Sequence, residues 1–345
     1  PNGLAAAVTL ARAGYEVRVL EAADRIGGGV SSAESTLPGF VHDVGSAVHP
    51  AAYSSPFFTA FGLRDRVQWI MPDAAYAHPL DDGRAVIAWR DLMRTADGLG
   101  ADGRAWQRML GPLTAHLGGV LDFTGSSLLR MPHDPVTALR FGMRVLQQGA
   151  GRAGRTFRGE DAAALLAGVV AHANTALPSL PSAAAGLLLA AQAHADGWVY
   201  PRGGAQAIAD ALLADLQAHG GSVQTGVPVR DLRAVEWGSG ARGDVLLLNT
   251  APALALTLPE VPERYARALR SFRYGPAAAK VDFALDGPVP WSNAEVYGVP
   301  TVHLGGTRAE IWASENAVAR GRVSEMPYVL AVQPSVLDDS RAPAG

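Results

Sequence analysis

A helix that leads directly into a strand, followed by a pair of glycines, is the feature that most restricts the fold of this chain. Residues 4–13 are small or apolar, Gly14 ends the helix that they predict, and a short strand over residues 17–20 ends on Glu21. A helix followed by a strand is half of a β-α-β unit. The sequence therefore predicts an α/β core with parallel strands.

Gly3 and Glu21 have the spacing of the second half of a dinucleotide-binding fingerprint. In that fingerprint glycines allow a tight turn and close approach of a pyrophosphate, and an acid about 20 residues later binds a ribose hydroxyl. Alone, the pair is equally compatible with a purely structural role. Gly27 and Gly28 add flexible backbone after the acid, and the combination favours nucleotide binding. We expect the first two glycines of the fingerprint to precede residue 1.

Composition narrows the class of protein. With 345 residues, 48% of them hydrophobic, the chain can bury the cores of two domains. A net charge of -3 argues against a nucleic-acid partner. The absence of cysteine excludes disulfides, thiolate metal ligands, a cysteine nucleophile and a cysteinyl-flavin bond. No apolar run predicts a transmembrane segment, whereas peripheral membrane contact stays open. The Ala- and Arg-rich composition indicates a bacterial, cytoplasmic protein.

The remaining sequence predicts a second, interleaved domain. Residues 56–194 are mainly helical, with one hairpin at Asp82-Gly83, and α/β patterns return at "YPRGGAQAIADALLADLQAHGGSVQT". "GDVLLLNTAP" predicts a buried strand, and "AAAKVDFAL" predicts a half-buried strand by its alternation. We expect a Rossmann-like domain from discontinuous segments and an α+β substrate domain with a mixed sheet and a helical insertion. The predicted bounds are residues 1–55 and 195–258 for the first, and 56–194 and 259–345 for the second.

The stretch "EAADRIGGG" resembles the flavin-binding signature of the amine oxidase and phytoene desaturase superfamily. Glu21, Arg25, Gly27 and Gly28 match that signature position by position, whereas Gly29 stands where many members have Arg. "GFVHDVGSAVHP", "GWVYPRGGAQAIADAL", "GDVLLLNTAP" and the region from "RFGMRVL" to "TVHLGG" resemble bacterial phytoene dehydrogenase-related flavoproteins. That group is similar to pyridine nucleotide-disulfide oxidoreductase domain-containing protein 2.

The resemblance implies FAD as the cofactor, with the backbone near Val227 against the adenine. The cofactor contacts that it implies are Gly3, Glu21, Ala22, Arg25, Gly27, Gly28, Gly45, Val227, Thr250 and Pro252. The family also has a glycine-rich flavin segment near its carboxyl end that nothing here matches, so we expect a chain truncated at both ends. Whether such a fragment holds flavin or is active stays open.

Lys280, the one lysine of the chain, is the candidate catalytic residue. Amine-oxidising members of the superfamily carry a lysine on the matching strand, where it holds a water at the flavin N5, whereas carotenoid desaturases generally lack it. A buried amine is desolvated, which suits it to proton transfer. The alternative is a strand-edge lysine facing solvent. His303 is a further candidate, either at a substrate cavity or as a hydrogen-bonded strand residue, and the nine histidines show no metal-ligand spacing.

These features predict an FAD-dependent oxidoreductase that transfers a hydride from a C–N or C–C bond of an apolar organic substrate. Oxygen, a quinone or NAD(P) are the open choices for the electron acceptor. Two alternatives remain: a polyene desaturase or isomerase of the carotenoid type, and a non-catalytic lipid- or protein-binding relative on the same scaffold.

Overall fold

The computed structural model describes residues 1–127, 129–150, 155–235 and 245–343. Its internal contacts divide the chain into two units, each assembled from separated stretches. The first unit comprises Pro1–Ala33, Asp43–Ser46 and Gly204–Tyr274; the second comprises Glu34–His42, Ala47–Gly203 and Gly275–Gly345. The domain boundaries expected from the sequence, residues 1–55 with 195–258 and residues 56–194 with 259–345, remain predictions.

The helices and strands are short to medium in length. In chain order the described helices are α1 (Asn2–Arg12), α2 (Pro50–Ser54), α3 (Pro56–Phe61), α4 (Leu63–Arg66), α5 (Leu92–Gly98), α6 (Gly103–Ala115), α7 (Leu117–Thr124), α8 (Pro135–Gly149), α9 (Glu160–Ala171), α10 (Leu180–Ala195), α11 (Gln206–Ala218), α12 (Glu263–Arg270) and α13 (Arg308–Ala319). The described strands are β1 (Arg18–Leu20), β2 (Ser32–Ala33), β3 (His42–Asp43), β4 (Trp69–Ile70), β5 (Ala74–Pro79), β6 (Ala85–Trp89), β7 (Tyr200–Pro201), β8 (Ser222–Gln224), β9 (Thr301–Leu304) and β10 (Val329–Val332). Among the described residues, no helix combines the length and the apolar character that crossing a membrane requires.

The first unit is built on a parallel pair of strands, β1 and β8, as the α/β pattern predicts. Helix α1 buries Leu4, Ala7, Val8 and Ala11, which the spacing of three and four residues places on one face. It packs against α11. The Arg12 guanidinium donates two hydrogen bonds, of 2.8 and 2.6 Å, to the buried carboxylate of Asp215 on α11. This pair fixes the two helices against each other.

The second unit contains a four-stranded mixed sheet in the order β10-β9-β5-β6. β5 pairs antiparallel with β6 and parallel with β9, and β10 pairs antiparallel with β9. The hairpin between β5 and β6 turns at Asp82-Gly83, as predicted, because Gly83 adopts a φ of 83° that other residues disfavour. Helices α6, α8, α9 and α10 pack into a large apolar core whose centre includes Trp106, Leu165 and Leu187, all fully buried.

Three histidines lie where this sheet meets the helices, and two of them are fully buried. His303 on β9 and His78 on β5 are fully buried, and Nε2 of His303 lies 3.0 Å from Nε2 of His172, which follows α9. His78 Nε2 donates to the carbonyl of Gly306 at 2.7 Å. Burial lowers the pKa of all three imidazoles, that of His172 to about 4, so they are neutral near pH 7. Of the two roles considered for His303, the structure agrees with a hydrogen-bonded strand residue.

Helix α9 approaches β9 closely because residue 168 is glycine. A Cβ on Gly168 would lie 2.6 Å from Nδ1 of His303, and the Tyr328 hydroxyl donates to the Gly168 carbonyl at 2.9 Å. Any side chain here would push the imidazole away. The glycine therefore sets the distance between the helix and the sheet.

The predicted buried strand in "GDVLLLNTAP" is wrong. Gly243 and Asp244 lie outside the described residues, and residues 245–249 form no strand. Val245 is 78% exposed and Leu247 is 56% exposed. An apolar run becomes a strand only where another strand satisfies its backbone N–H and C=O groups, and none of the described strands pairs with this segment.

The predicted half-buried strand around Lys280 is also wrong. Val281 and Phe283 are 71% and 69% exposed, and residues 275–285 form no strand. Alternation defines a buried face only where a sheet neighbour is present. In the described sheet of this unit, β10 and β6 are the outer strands, and neither pairs with this segment.

We predict that acid destabilises the protein through His194. The Trp106 indole donates to His194 Nε2 at 3.1 Å, and burial lowers the pKa of His194 from 6.5 to about 4. The unfolded state binds the proton more tightly than the folded state. The contribution of neutral His194 to the free energy of unfolding is therefore fully present above pH 6.5, and it is lost as the pH drops towards 4. At pH 5 the loss from this group is about 2 kcal/mol. Urea denaturation at pH 8 and pH 5 measures it.

The matched variant is His194→Gln, whose amide oxygen can accept from the same indole but does not titrate. The variant should lose less free energy of unfolding than the unsubstituted protein between pH 8 and pH 5. Equal losses in the two proteins would contradict a neutral, buried His194.

Candidate flavin-binding site

The carboxyl ends of β1 and β8 bring two of the predicted cofactor residues together. Leu20 pairs with Gln224, after which Glu21 N donates to Gln224 O at 2.8 Å and Val227 N donates to Glu21 O at 2.9 Å. In open α/β sheets ligands bind beyond the carboxyl ends of parallel strands. Glu21 and Val227, 206 positions apart in the sequence, therefore lie at the edge where a nucleotide would bind.

The Glu21 side chain is held at the turn that follows β1. One carboxylate oxygen accepts the backbone N–H of Ala23 at 2.9 Å, and Ala22 between them is exposed. Gly226 N donates to Ala23 O at 2.7 Å, which ties this turn to the end of β8. The carboxylate is thus oriented by its own backbone, and it has the acceptor chemistry that a ribose hydroxyl requires.

The glycine pair forms a tight loop after this turn. Gly27 and Gly28 have φ values of 120° and 53°, which glycine adopts without strain, and a 3-10 turn runs from Gly28 to Val30. An ideal Cβ on Gly27 would lie 3.3 Å from Oε1 of Gln206, a buried oxygen without a hydrogen-bond partner. Open space surrounds the equivalent position on Gly28. Arg25 braces the loop, because its guanidinium donates to the carbonyl of Ser32.

Gly45 packs against this loop from a second stretch of sequence. Val44 N donates to Ser31 O at 2.8 Å, and Ser46 N donates to Gly29 O at 2.9 Å. A Cβ on Gly45 would lie 2.3 Å from the Gly29 carbonyl oxygen. The predicted residues Gly27, Gly28 and Gly45 therefore belong to one backbone assembly.

The buried carboxylate of Asp43 connects this assembly to α11. Asp43 Oδ1 accepts the Ser32 hydroxyl at 2.7 Å and the backbone N–H of Ala205 at 2.8 Å. The Ser32 hydroxyl in turn accepts Gln206 N at 3.1 Å. Both amides lie at the start of α11, where N–H groups lack helical partners. Sequence reasoning missed this role of Asp43; its position inside the matched segment "GFVHDVGSAVHP" was the available signal.

Gly3 lies at the first turn of α1, beside the remaining predicted cofactor segment. Its N–H donates to Oδ1 of Asn249 at 2.9 Å, and a Cβ on Gly3 would lie 3.0 Å from that oxygen. Thr250 is exposed just after Asn249, and Pro252 begins a 3-10 helix that extends to Thr257. The structure thus brings the 249–252 segment to the helix start, although the buried strand expected before it is absent.

Lys280 lies in the second unit and is not the buried amine that the strand prediction implied. Its side chain is 38% exposed, and its ammonium forms an ion pair with Asp282. Asp282 also accepts the Ser35 hydroxyl at 2.9 Å. The ammonium is therefore already paired with a carboxylate.

The residues present fit an FAD molecule. The oriented carboxylate of Glu21, the open left-handed Gly28 and the partnerless oxygen of Gln206 lie on adjoining parts of the first unit. A carboxylate for ribose and a glycine backbone for close approach are the chemistry that a dinucleotide needs. Within the described part of the chain, no group of three His, Cys, Asp or Glu side chains could hold a metal ion.

The sequence matches the family model of flavin containing amine oxidoreductases over residues 2–333. The chain belongs to this family. As a flavin amine oxidoreductase it is an FAD-dependent oxidoreductase. Membership in the wider superfamily was the prediction from "EAADRIGGG", and it is confirmed at that level. No match was found among curated proteins.

Solved structures resemble this flavin amine oxidoreductase at low identity. A protein from Pyrococcus furiosus is 17% identical, with 95% of this chain and 75% of that one covered and a TM-score of 0.47. An oxidoreductase from Methanosarcina mazei is 15% identical, with 79% of this chain and 63% of that one covered and a TM-score of 0.44. A triple mutant of putrescine oxidase with redesigned cofactor binding is 18% identical, with 66% of this chain and 49% of that one covered and a TM-score of 0.43. The chain thus spans about half to three quarters of these proteins.

We predict that Gly45→Ala disrupts the loop that contains Gly27 and the 3-10 turn Gly28–Val30. The added Cβ would meet the backbone of Gly29 at 2.3 Å, and backbone cannot yield as a side-chain end can. The variant should lose about 1–3 kcal/mol of unfolding free energy and bind FAD more weakly. Urea denaturation and FAD titration by fluorescence quenching measure the two effects.

Gly29→Ala is the control on the opposite side of the same contact, because no atom lies within 4 Å of its ideal Cβ. It should retain both stability and FAD affinity. Equal behaviour of the two variants would show that the packing of Gly45 on Gly29 is not required.

Proposed function

We propose that this flavin amine oxidoreductase oxidises a C–N or C–C single bond of an apolar organic substrate: a hydride passes from the carbon to the flavin, and a proton leaves the adjoining nitrogen or carbon. The observation that carries the proposal is the meeting of Glu21 and Val227 at the ends of two parallel strands, next to the Gly27-Gly28 loop. When bound, FAD supplies the hydride acceptor, and the protein supplies orientation and exclusion of water.

In this proposal the first unit binds the cofactor. Glu21 accepts hydrogen bonds from a ribose hydroxyl, the backbone near Val227 contacts the adenine, and Gly27 and Gly28 let the chain pass close to the phosphates. Ala22 and Gly45 contribute backbone, and Arg25 holds the loop through Ser32. Gly3, Thr250 and Pro252 complete the set; a phosphate at the Gly3 N–H would replace the Asn249 side-chain oxygen that now accepts from it.

The second unit supplies the substrate site in this proposal. The electron acceptor is oxygen, a quinone or NAD(P), and the relationship to bacterial phytoene dehydrogenase-related flavoproteins and a cytoplasmic location belong to the same proposal. The exposure of Lys280 favours one alternative, a polyene desaturase or isomerase, because that branch of the superfamily generally does without this lysine.

We predict that Glu21→Gln weakens FAD binding. A hydrogen bond to a charged group contributes about 1.5–3 kcal/mol, so the dissociation constant should rise roughly 10- to 100-fold. The protein is purified, reconstituted with FAD and titrated by flavin fluorescence. Glu16→Gln is the control, because Glu16 is an exposed carboxylate in the turn before β1. Absence of a visible flavin band in the reconstituted protein, or equal affinities of the two variants, would contradict the proposed site.

A second pair of variants tests the role of Lys280. Lys280→Met removes the amine, whereas Asp282→Asn removes the carboxylate partner and leaves the amine in place. If the amine serves flavin chemistry, Lys280→Met should slow flavin reduction or reoxidation by about 100-fold or more, the lower end of what a positioned proton-transfer group contributes. Asp282→Asn should change these rates little. Stopped-flow absorbance measures both half-reactions; small, equal effects would assign Lys280 to the ion pair and favour the desaturase alternative.

A further inference from the structure

Helix α8 is apolar on two opposite sides. Thr137, Ala138 and Phe141 face inward and are buried against the helical core. The other side carries four exposed apolar residues, here called the α8 stripe: Val136, Leu139, Met143 and Leu146. Their exposed fractions are 56%, 66%, 60% and 56%. A surface helix of a globular protein normally has one apolar face and one polar face, so the second apolar face needs an explanation.

The stripe is continuous along the helix, and the loop before the helix also exposes apolar side chains. Its spacing of three, four and three residues places the four side chains on one line along α8. Leu129 and Met131, in the loop before the helix, are 98% and 80% exposed. Contiguous exposed apolar surface of this kind marks an interaction surface.

The surroundings of the stripe are basic, in a chain that is acidic overall. Residues 103–150 contain five arginines and two aspartates, whereas the whole chain carries a net charge of -3. Both aspartates are already engaged. Asp122 accepts from Arg130 and from His133, and Asp134 caps α8 by accepting Thr137 N at 2.9 Å.

The exposed edge of the stripe carries Arg140, and α8 contains no acidic side chain. On the adjacent α6, Arg104 and Arg108 are exposed. One turn along α8, the Arg144 guanidinium donates to the Arg108 carbonyl at 2.9 Å, which holds it between the two helices. Apolar side chains flanked by arginine are the pattern of a helix that lies in the interface of an anionic membrane.

We propose that the α8 stripe binds the surface of an anionic phospholipid membrane, with its four apolar side chains inserted among the acyl chains and Arg140 at the headgroups. A second copy of the chain fits less well. The α8 helix of a second copy offers no carboxylate to pair with Arg140, whereas anionic headgroups do. The proposal assigns a surface to the peripheral membrane contact that composition leaves open, and it does not depend on flavin binding.

Vesicle co-sedimentation tests the proposal with the full chain, with and without FAD. One set of vesicles is phosphatidylcholine alone, and the other contains about 30 mol% phosphatidylglycerol, enough to give a negative surface potential. Partition onto the anionic vesicles should exceed partition onto the neutral vesicles by at least about tenfold. The excess should shrink in about 0.5 M NaCl, because salt screens the arginines.

Three variants separate the stripe from non-specific adhesion. The double variant Leu139→Ser with Met143→Ser should lower partition onto anionic vesicles by roughly tenfold or more, because each side chain loses its apolar burial. Arg140→Glu should lower it on the order of fivefold or more. Val323→Ser, at an apolar position that is 94% exposed outside the stripe, should leave it unchanged. All four positions are exposed, and a thermal melt verifies that each variant is folded.

Sedimentation velocity over a range of protein concentrations supplies the competing outcome. A dimer that the Leu139→Ser and Met143→Ser double variant dissociates, with no partition onto vesicles, would assign the stripe to a second copy and overturn the proposal. Failure of the unsubstituted protein to bind anionic vesicles, or binding that the stripe variants do not weaken, would also overturn it. Each of these results is independent of whether Glu21→Gln alters FAD affinity.

Discussion

The carboxylate of Asp43 is the contact that joins the three stretches of the first unit. That unit consists of three stretches of sequence separated by the second unit, and Asp43 touches all three: it belongs to the middle stretch, accepts from Ser32 at the end of the first, and accepts from Ala205 at the start of the third. A buried carboxylate with two donors is stable only while both donors are in place. Assembly of the three stretches therefore supplies hydrogen-bond donors to this carboxylate.

Close approach of glycine backbone to neighbouring segments accompanies that assembly. Gly204 leaves room for Ser32, since a Cβ there would lie 2.4 Å from the Ser32 hydroxyl oxygen, and Gly45 leaves room for Gly29 in the same way. The second unit uses the same device at Gly168, where α9 meets His303. In each case a missing side chain determines how near two elements can come, and a polar atom occupies the space. Glycine thus serves packing in both units, in addition to the positive φ values that it allows at Gly27 and Gly28.

Local features were predictable from the sequence because they depend on neighbours in the chain. The helix and strand leading to Glu21, the hairpin at Asp82-Gly83 and the helix after Gly204 form as their patterns predict. The strands expected at 245–249 and around Lys280 do not form, because a strand also needs a partner that no local pattern specifies. The same limit applies to the site. Glu21 and the glycine pair follow from spacing, whereas the Asn249 contact to Gly3 joins residues 246 positions apart, and the His172–His303 pair joins residues 131 positions apart.

The interleaving of the two units has a consequence for how this polypeptide can be divided or rearranged. The chain passes from one unit to the other after Ala33, His42, Ser46, Gly203 and Tyr274. No single cut separates the units, and a truncation from the amino terminus that reaches beyond Ala33 removes part of both. Either unit could be produced alone only by rejoining its stretches through new connections.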